Sequence, residues 1–103
     1  VITPKQAVLA ATLNGAKAQG RTDCGALKLG NKADLCVFDL NRANFQPIHD
    51  VLNNLVYAAS AGDIVLTMAD GKVLYENGKY TTIDLEKTVY EVNAAKARIL
   101  SEL

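Results

Sequence analysis

The sequence is poor in the residues that chemistry most often needs. It holds one histidine, His49, and two cysteines, Cys24 and Cys36, in 103 residues. Two cysteines and one imidazole cannot complete a four-ligand zinc site, and neither cysteine stands in a C-x-x-C pair. A GxGxxG turn and a Walker-type lysine are both missing, which excludes the glycine-rich loops that cradle phosphates. Asp34, Asp39, Asp63 and Asp70 do not follow the spacing of an EF-hand loop. No nucleophile–base pair accompanies His49, so a self-contained small hydrolase built on it is disfavoured.

Charge and hydropathy remove further classes. Eleven Lys plus Arg balance eleven Asp plus Glu, and the balance is local. Residues 1–20 carry +2, 21–50 zero, and 51–80 and 81–103 each −1. No basic stripe exists to neutralise a phosphate backbone, so nucleic acid is not an expected partner. No apolar run approaches the roughly 18 residues of a membrane span, and no cationic-then-apolar signal segment is seen, so no membrane partner is expected. Cys36, inside "DLCVFDL", is expected to be a buried free thiol behaving as a small hydrophobe. A reduced, cytoplasmic setting follows from that reading. The chain starts with Val1 rather than Met, the expectation for a trimmed or excised segment.

What is present is globular in character. Half the residues are hydrophobic and 21% are charged. A chain this size is one domain or a piece of one, able to bury roughly 65% of its unfolded surface. "TPKQAVLAATLNGAKAQG" predicts a helix from Thr3 to about Ala18. Thr3 and Gln6 form a capping box, Pro4 takes the first helical position and Gly20 ends the helix. Ala7, Ala11, Gly15 and Ala18 form a stripe of small side chains, suited to close packing on a neighbour, although alanine is also simply a good helix former. Gly15 favours packing, since a mid-helix glycine costs about 0.5–1 kcal/mol against alanine.

"RTDCGALKLGNKADLCVFDLNR" predicts two extended pieces around a turn at Gly30–Asn31. Leu35 to Phe38 reads as a strand covered on both faces. "HDVLNNLVYAAS" predicts a short helix over 51–59. Ile64 to Ala69 and Lys72 to Glu76 flank Asp70–Gly71, a dipeptide suited to a type I′ hairpin, and a second turn follows at Asn77–Gly78. The tail predicts a helix from the N-cap Asp84, with Leu85, Val89, Val92, Ile99 and Leu103 on one stripe and a charged opposite face, lying on a surface.

The remaining candidates have ordinary explanations beside the functional ones. His49 is a general base or lone ligand, or a ring that fixes the loop before a helix, and the second reading is preferred. Asp50 beside it reads as an N-cap. Asp34, Asp39, Asp63 and Asp70 sit where turn-forming aspartates are common. Tyr57, Tyr75, Tyr80 and Tyr90 are expected in core or interface packing. No residue is assigned a catalytic, cofactor-binding or metal role.

Three runs, "ATLNGAKAQG", "GALKLGNKADLCVFDL" and "PIHDVLNNLVYAASAGDIVLTMADGKVLYENG", follow one another in an order that resembles the C-terminal part of the amidohydrolase superfamily. The resemblance covers about residues 3–80. "G-x-L-x-x-G-x-x-ADL" is broad across the superfamily. "HD-x5-LVY-x-A" followed by Gly-Asp and the "DGK-V" hairpin is narrower. It favours the branch of cytosine and guanine deaminases, chlorohydrolases and methylthioadenosine/S-adenosylhomocysteine deaminases. Asn31 departs from a common lysine.

The resemblance implies an α+β fragment. Residues 1–20 would be the final helix of a (β/α)8 barrel, 21–80 a share of a composite β-sandwich domain with its hairpin, and 81–103 a C-terminal helix. The parent would be a metal-dependent hydrolase using zinc or iron to activate water against an aromatic ring carbon or an amide, most readily deaminating a purine nucleoside-like substrate. Its metal ligands lie before this sequence begins, and His49 matches the family's "HD" position, which is not one of them. The segment itself is expected to be structural, to hold no cofactor, and to partner the barrel and N-terminal strands of its parent. By itself it is expected either to dimerise through its exposed apolar face or to pack its first helix onto its own sheet. The alternative is a stand-alone α+β interaction module without activity.

Overall fold

A computed structural model describes all of residues 1–103. The order is α1 (Pro4–Ala11), α2 (Leu13–Ala18), β1 (Leu35–Phe38), α3 (Val51–Tyr57), β2 (Ile64–Ala69), β3 (Lys72–Glu76), β4 (Lys79–Tyr80) and α4 (Leu85–Ser101). Single 3-10 turns fall at Ala43–Phe45 and Ala61–Asp63. The four strands make one antiparallel sheet in the order β1-β2-β3-β4. The class is the expected α+β.

The capping box opens α1 as the sequence predicts. The Gln6 N–H donates to Thr3 Oγ1 at 3.2 Å, and the Thr3 N–H donates to Gln6 Oε1 at 2.9 Å. The single helix to Ala18 is not formed, because Thr12 breaks it with φ −120° and ψ −95°. The Thr12 hydroxyl takes the Val8 carbonyl at 2.7 Å, a local bond that competes with the helical ladder. The helix resumes as α2 and ends at Gly20, φ +76°, with Gly20 N–H on Lys17 O and Arg21 N–H on Ala16 O. This is a Schellman cap. The small-residue stripe is therefore split over two helices, and Ala11 and Ala18 are exposed. Gly15 has a local reason: a Cβ there would stand 2.7 Å from the Ala10 carbonyl oxygen. The first helix packs against α3 rather than onto the sheet.

Only the second of the two extended pieces becomes a strand. Leu27 and Leu29 pair with no strand and are 81% and 98% exposed. The turn at Gly30–Asn31 does form, with the Asn31 N–H on Lys28 O. Nor is β1 covered on both faces: Cys36 and Val37 are exposed, at the open edge of the sheet. The buried thiol is Cys24 instead, and both cysteines are free.

The β2–β3 hairpin forms at the expected residues. Asp70 (φ +50°) and Gly71 (φ +77°) make its turn, and Asn77 (φ +47°) and Gly78 (φ +88°) make the expected second turn, which adds the short strand β4. Bulges fall where Phe38 pairs Ile64 after Val37 pairs Leu66, and where Met68 pairs Val73 after Thr67 pairs Tyr75. Tyr75 and Tyr80 stack across β3–β4 at 5.1 Å. Tyr57 and Tyr90, expected in packing, are 75% and 74% exposed.

Little of this is buried. Cys24, Phe45 and Asp63 alone are below the surface. The radius of gyration is 17.9 Å, against about 13 Å for a compact chain of this length. α4 accounts for much of the difference. Asp84 caps it through the Lys87 N–H as predicted, but within it only Ala95 is even partly covered. The helix stands away from the body instead of lying on it, and its apolar stripe stays exposed. No helix is long and apolar enough to cross a membrane.

Candidate functional site

The densest constellation of polar groups surrounds Asp63, at the start of β2. The residue is 4% exposed. Its Oδ2 accepts from the Ser60 N–H at 2.8 Å, from Asn44 Nδ2 at 2.7 Å and from Ser60 Oγ at 3.3 Å. Arg42 approaches Oδ1 at 3.8 Å while donating to the Gly62 carbonyl at 2.9 Å and pairing with Asp39. The backbone joins in, with the Asp39 N–H on the Asp63 carbonyl at 2.9 Å. The Ser60 backbone bond, helped by Asn44, the Ser60 hydroxyl and Arg42, holds the carboxyl below its ordinary value of 3.8 against the opposing cost of burial. A carboxylate kept ionised by three hydrogen bonds to Oδ2 and by Arg42 beside Oδ1 is a poor proton carrier. Its chemistry is that of a staple joining the end of β1, the turn at 43–45 and the exit from α3.

Two further staples have the same character. Asp34, from "ADL", accepts the Asp70 N–H at 2.7 Å, and the Ala33 carbonyl accepts the Gly71 N–H at 3.1 Å. The two motifs thus meet at the tip of the hairpin. Asn54 on α3 donates to the Phe45 and Pro47 carbonyls, pinning the loop that precedes its own helix. That role had been given to His49, which is exposed and makes no side-chain hydrogen bond. Asp50 does cap α3, through the Asn53 N–H at 3.2 Å. Arg42, Asn44 and Asn54 escaped sequence reasoning because single polar residues in loops carry no periodicity. Asp63 is legible in the sequence as a turn-forming aspartate and as the Gly-Asp that follows "LVYAA", but not as the centre of a polar network.

An open groove of about 700 Å³ lies between the first two helices and the edge of β1. Small residues line its helical wall, among them Ala11, Gly15 and Ala16, and Cys24, Leu35 and Cys36 face them. Gly25 is fitted tightly there: a Cβ would meet Ala16 Cβ and Leu13 Cα at 3.0 Å. The groove offers shape and apolar surface, with Asp34 as its charged lining residue. No three of the His, Cys, Asp and Glu side chains come together in a way that could hold a metal ion. The residues here do not fit a metal centre, and no reaction step can be routed through one on them.

Comparison with known proteins places these features. The model of the amidohydrolase family matches residues 1–74. The chain is 40% identical over 97 residues to a 5'-deoxyadenosine deaminase of Methanosarcina acetivorans, a match covering 94% of this chain and 22% of that protein. It is 38% identical over 90 residues to a 5-methylthioadenosine/S-adenosylhomocysteine deaminase of Dictyoglomus thermophilum, covering 87% and 21%. Among solved structures, a zinc-bound adenosine deaminase from Xanthomonas campestris superposes with TM-score 0.92 and 31% identity over 96% of this chain and 23% of its own. A zinc complex of the atrazine chlorohydrolase of Arthrobacter aurescens TC1 superposes with TM-score 0.82 and 28% identity over 89% and 20%. The chain spans about a fifth of the length of the curated relatives it matches.

Proposed function

This chain belongs to the amidohydrolase family, and on that footing we propose that it is the C-terminal structural part of a longer metal-dependent hydrolase that deaminates an adenosine-like substrate. In such a reaction water adds to the ring carbon bearing the amino group, the C–N bond breaks, and ammonia leaves as the C–O bond is kept. The ligands and the divalent metal belong to the rest of that polypeptide. Residues 1–20 supply the last helical segment of its barrel, 21–80 its share of a small β-sandwich, and 81–103 a terminal helix.

One observation carries this reading: in a chain so similar to zinc-bound deaminases, the polar groups that converge are engaged in holding loops together. Asp34, Asn54 and Asp63 each satisfy backbone donors or acceptors, and none is left to handle a substrate. The open edge of β1 and the adjacent groove suit added strands from the N-terminal part of the parent, since an unpaired strand edge is a template for another strand. The task of these residues is to buttress the barrel that carries the chemistry.

The native size of the polypeptide tests this. An antibody raised against these residues is expected to detect a band on the order of 40 kDa or more, the size of a barrel of about 250 residues plus its sandwich. A band near 11.0 kDa would overturn the reading in favour of a stand-alone interaction module.

A further inference from the structure

The two successive hairpin turns share a backbone shape and differ in what their amides do. Asp70–Gly71 and Asn77–Gly78 each place both residues at positive φ, +50° and +77° in the first turn, +47° and +88° in the second. At the first, the Gly71 N–H donates to the Ala33 carbonyl at 3.1 Å and the Asp70 N–H to Asp34 Oδ1 at 2.7 Å. At the second, neither the Gly78 N–H nor the Asn77 carboxamide has a hydrogen-bond partner, and both residues are exposed. Nothing stands within 4 Å of where a Cβ on Gly78 would be. The Gly78 nitrogen is therefore free and unscreened beside a free carboxamide, and asparagine is among the thermolabile side chains.

We propose that Asn77 is a site of spontaneous covalent modification, deamidating through a cyclic imide with Gly78 to aspartate and isoaspartate. The Gly78 nitrogen gives up its proton and attacks Asn77 Cγ. The bond from Cγ to the side-chain nitrogen breaks, and ammonia leaves with that proton. Water then opens the imide at one of its two carbonyl carbons. Opening at Cγ returns an ordinary backbone with an aspartate; opening at the main-chain carbonyl carbon leaves the backbone running through Cβ and Cγ, an isoaspartate. No oxidant or reductant is needed.

Ring closure requires the Asn77 backbone to leave its turn conformation. The strand that follows, Lys79–Tyr80, is two exposed residues long, and so short an exposed element opens locally at little cost. The other two places where the sequence would allow such a ring are closed. Asn14 precedes Gly15 within α2, where helical dihedrals hold Cγ away from the next nitrogen. Asp70 faces a Gly71 nitrogen already bound to Ala33, and a carboxylate is a poorer electrophile than a carboxamide. Conversion to isoaspartate adds a methylene to a loop whose type depends on having two residues. The Glu76–Lys79 pairing, the Tyr75–Tyr80 stack at 5.1 Å and the bond from the Thr81 N–H to the Leu74 carbonyl all depend on that loop, so the isoaspartyl form sheds β4.

The inference does not rest on the longer parent proposed above, and the native polypeptide at its full length is what tests it. The protein is incubated in neutral buffer, then assayed by peptide mass and by methyl transfer from an isoaspartyl carboxyl methyltransferase. Aspartate and isoaspartate are expected to accumulate at position 77, while the peptides holding Asn14 and Asp70 stay as they are. The Thr81 amide is expected to lose its exchange protection in the isoaspartyl fraction. Asn77→Gln, which keeps the turn glycine, is expected to abolish methyl acceptance. Gly78→Ala, which screens the nitrogen but is strained at φ +88°, is expected to do the same. An intact Asn77 after incubation, Asn14 converting as fast, or methyl acceptance undiminished in Asn77→Gln would each overturn the assignment.

Discussion

The stretch from Ala33 to Glu76 and the helix α4 reach order by different means. In the first, side chains bridge distant backbone: Asp34 reaches Asp70, Asn44 reaches Ala58 and Asp63, and Arg42 reaches Gly62. In α4 every side-chain hydrogen bond stays within its own turn, from Asp84 to Lys87 and from Thr88, Asn93 and Ser101 to carbonyls three or four residues back. The staples specify a conformation almost without a core, since each satisfied polar group excludes alternatives that would leave it unpaired. A helix with local bonds has only its apolar face to fix where it goes. The first region is determined by its own residues, and the second by what it touches.

Asp63 is where that contrast is easiest to break. Asp63→Ala leaves the Ser60 N–H, Asn44 and Arg42 without their acceptor. It is expected to lower the midpoint by on the order of 5–10 °C and to loosen residues 39–63 in amide exchange, with α4 unaffected. The contribution is pH-dependent. Because the folded carboxyl lies below the ordinary value of 3.8, the unfolded chain binds the proton more readily. Stability from this group is complete above pH 3.8 and is lost as pH falls through the lower folded-state value. The stability gap between wild type and Asp63→Asn is therefore expected to be constant near neutrality and to close in acid. A gap that persists undiminished in acid would mean that the carboxylate charge contributes nothing.

A smaller effect is expected at Asn54. Asn54→Ala removes the donor shared by the Phe45 and Pro47 carbonyls and should cost about 1–3 kcal/mol in denaturant unfolding. A cost comparable to that of an exposed loop residue would show that the turn at 43–45 holds itself, and the staple account would shrink to Asp63. His49 gives the sharpest contrast with its neighbour. Exposed and without a side-chain bond, it is expected on His49→Ala to change stability by no more than about 0.5 kcal/mol and to leave turnover of the proposed parent enzyme unchanged. A large loss of turnover would assign His49 a substrate or partner contact.

Local signals were legible wherever one residue and its near neighbours decide the outcome. The Thr3–Gln6 box, the Gly20 cap, the Asp50 and Asp84 N-caps and the Asp70–Gly71 hairpin are each a matter of adjacent dihedral preferences and short-range bonds. The motif runs were legible too, and the matching family is the one they resemble. The helix through Thr12 was misread because helix propensity says nothing of a hydroxyl that finds the carbonyl four residues back. Cys36 departs from expectation for another reason. An apolar run predicts a covered strand only if the covering surface exists, and here it does not.

The sequence by itself determined where α1, α3 and α4 begin and where α2 ends, the register-setting turn of the hairpin, and the family. These depend on interactions spanning a few residues, which any copy of the sequence carries with it. Only the tertiary structure decided that Asp63, rather than His49, is the centre of the polar network. Asn44, Ser60 and Arg42 converge on it from separate segments, and convergence is a property of the folded backbone. Only the tertiary structure, again, left β1 at an open edge and α4 without a partner, because burial depends on the surfaces a fold brings together.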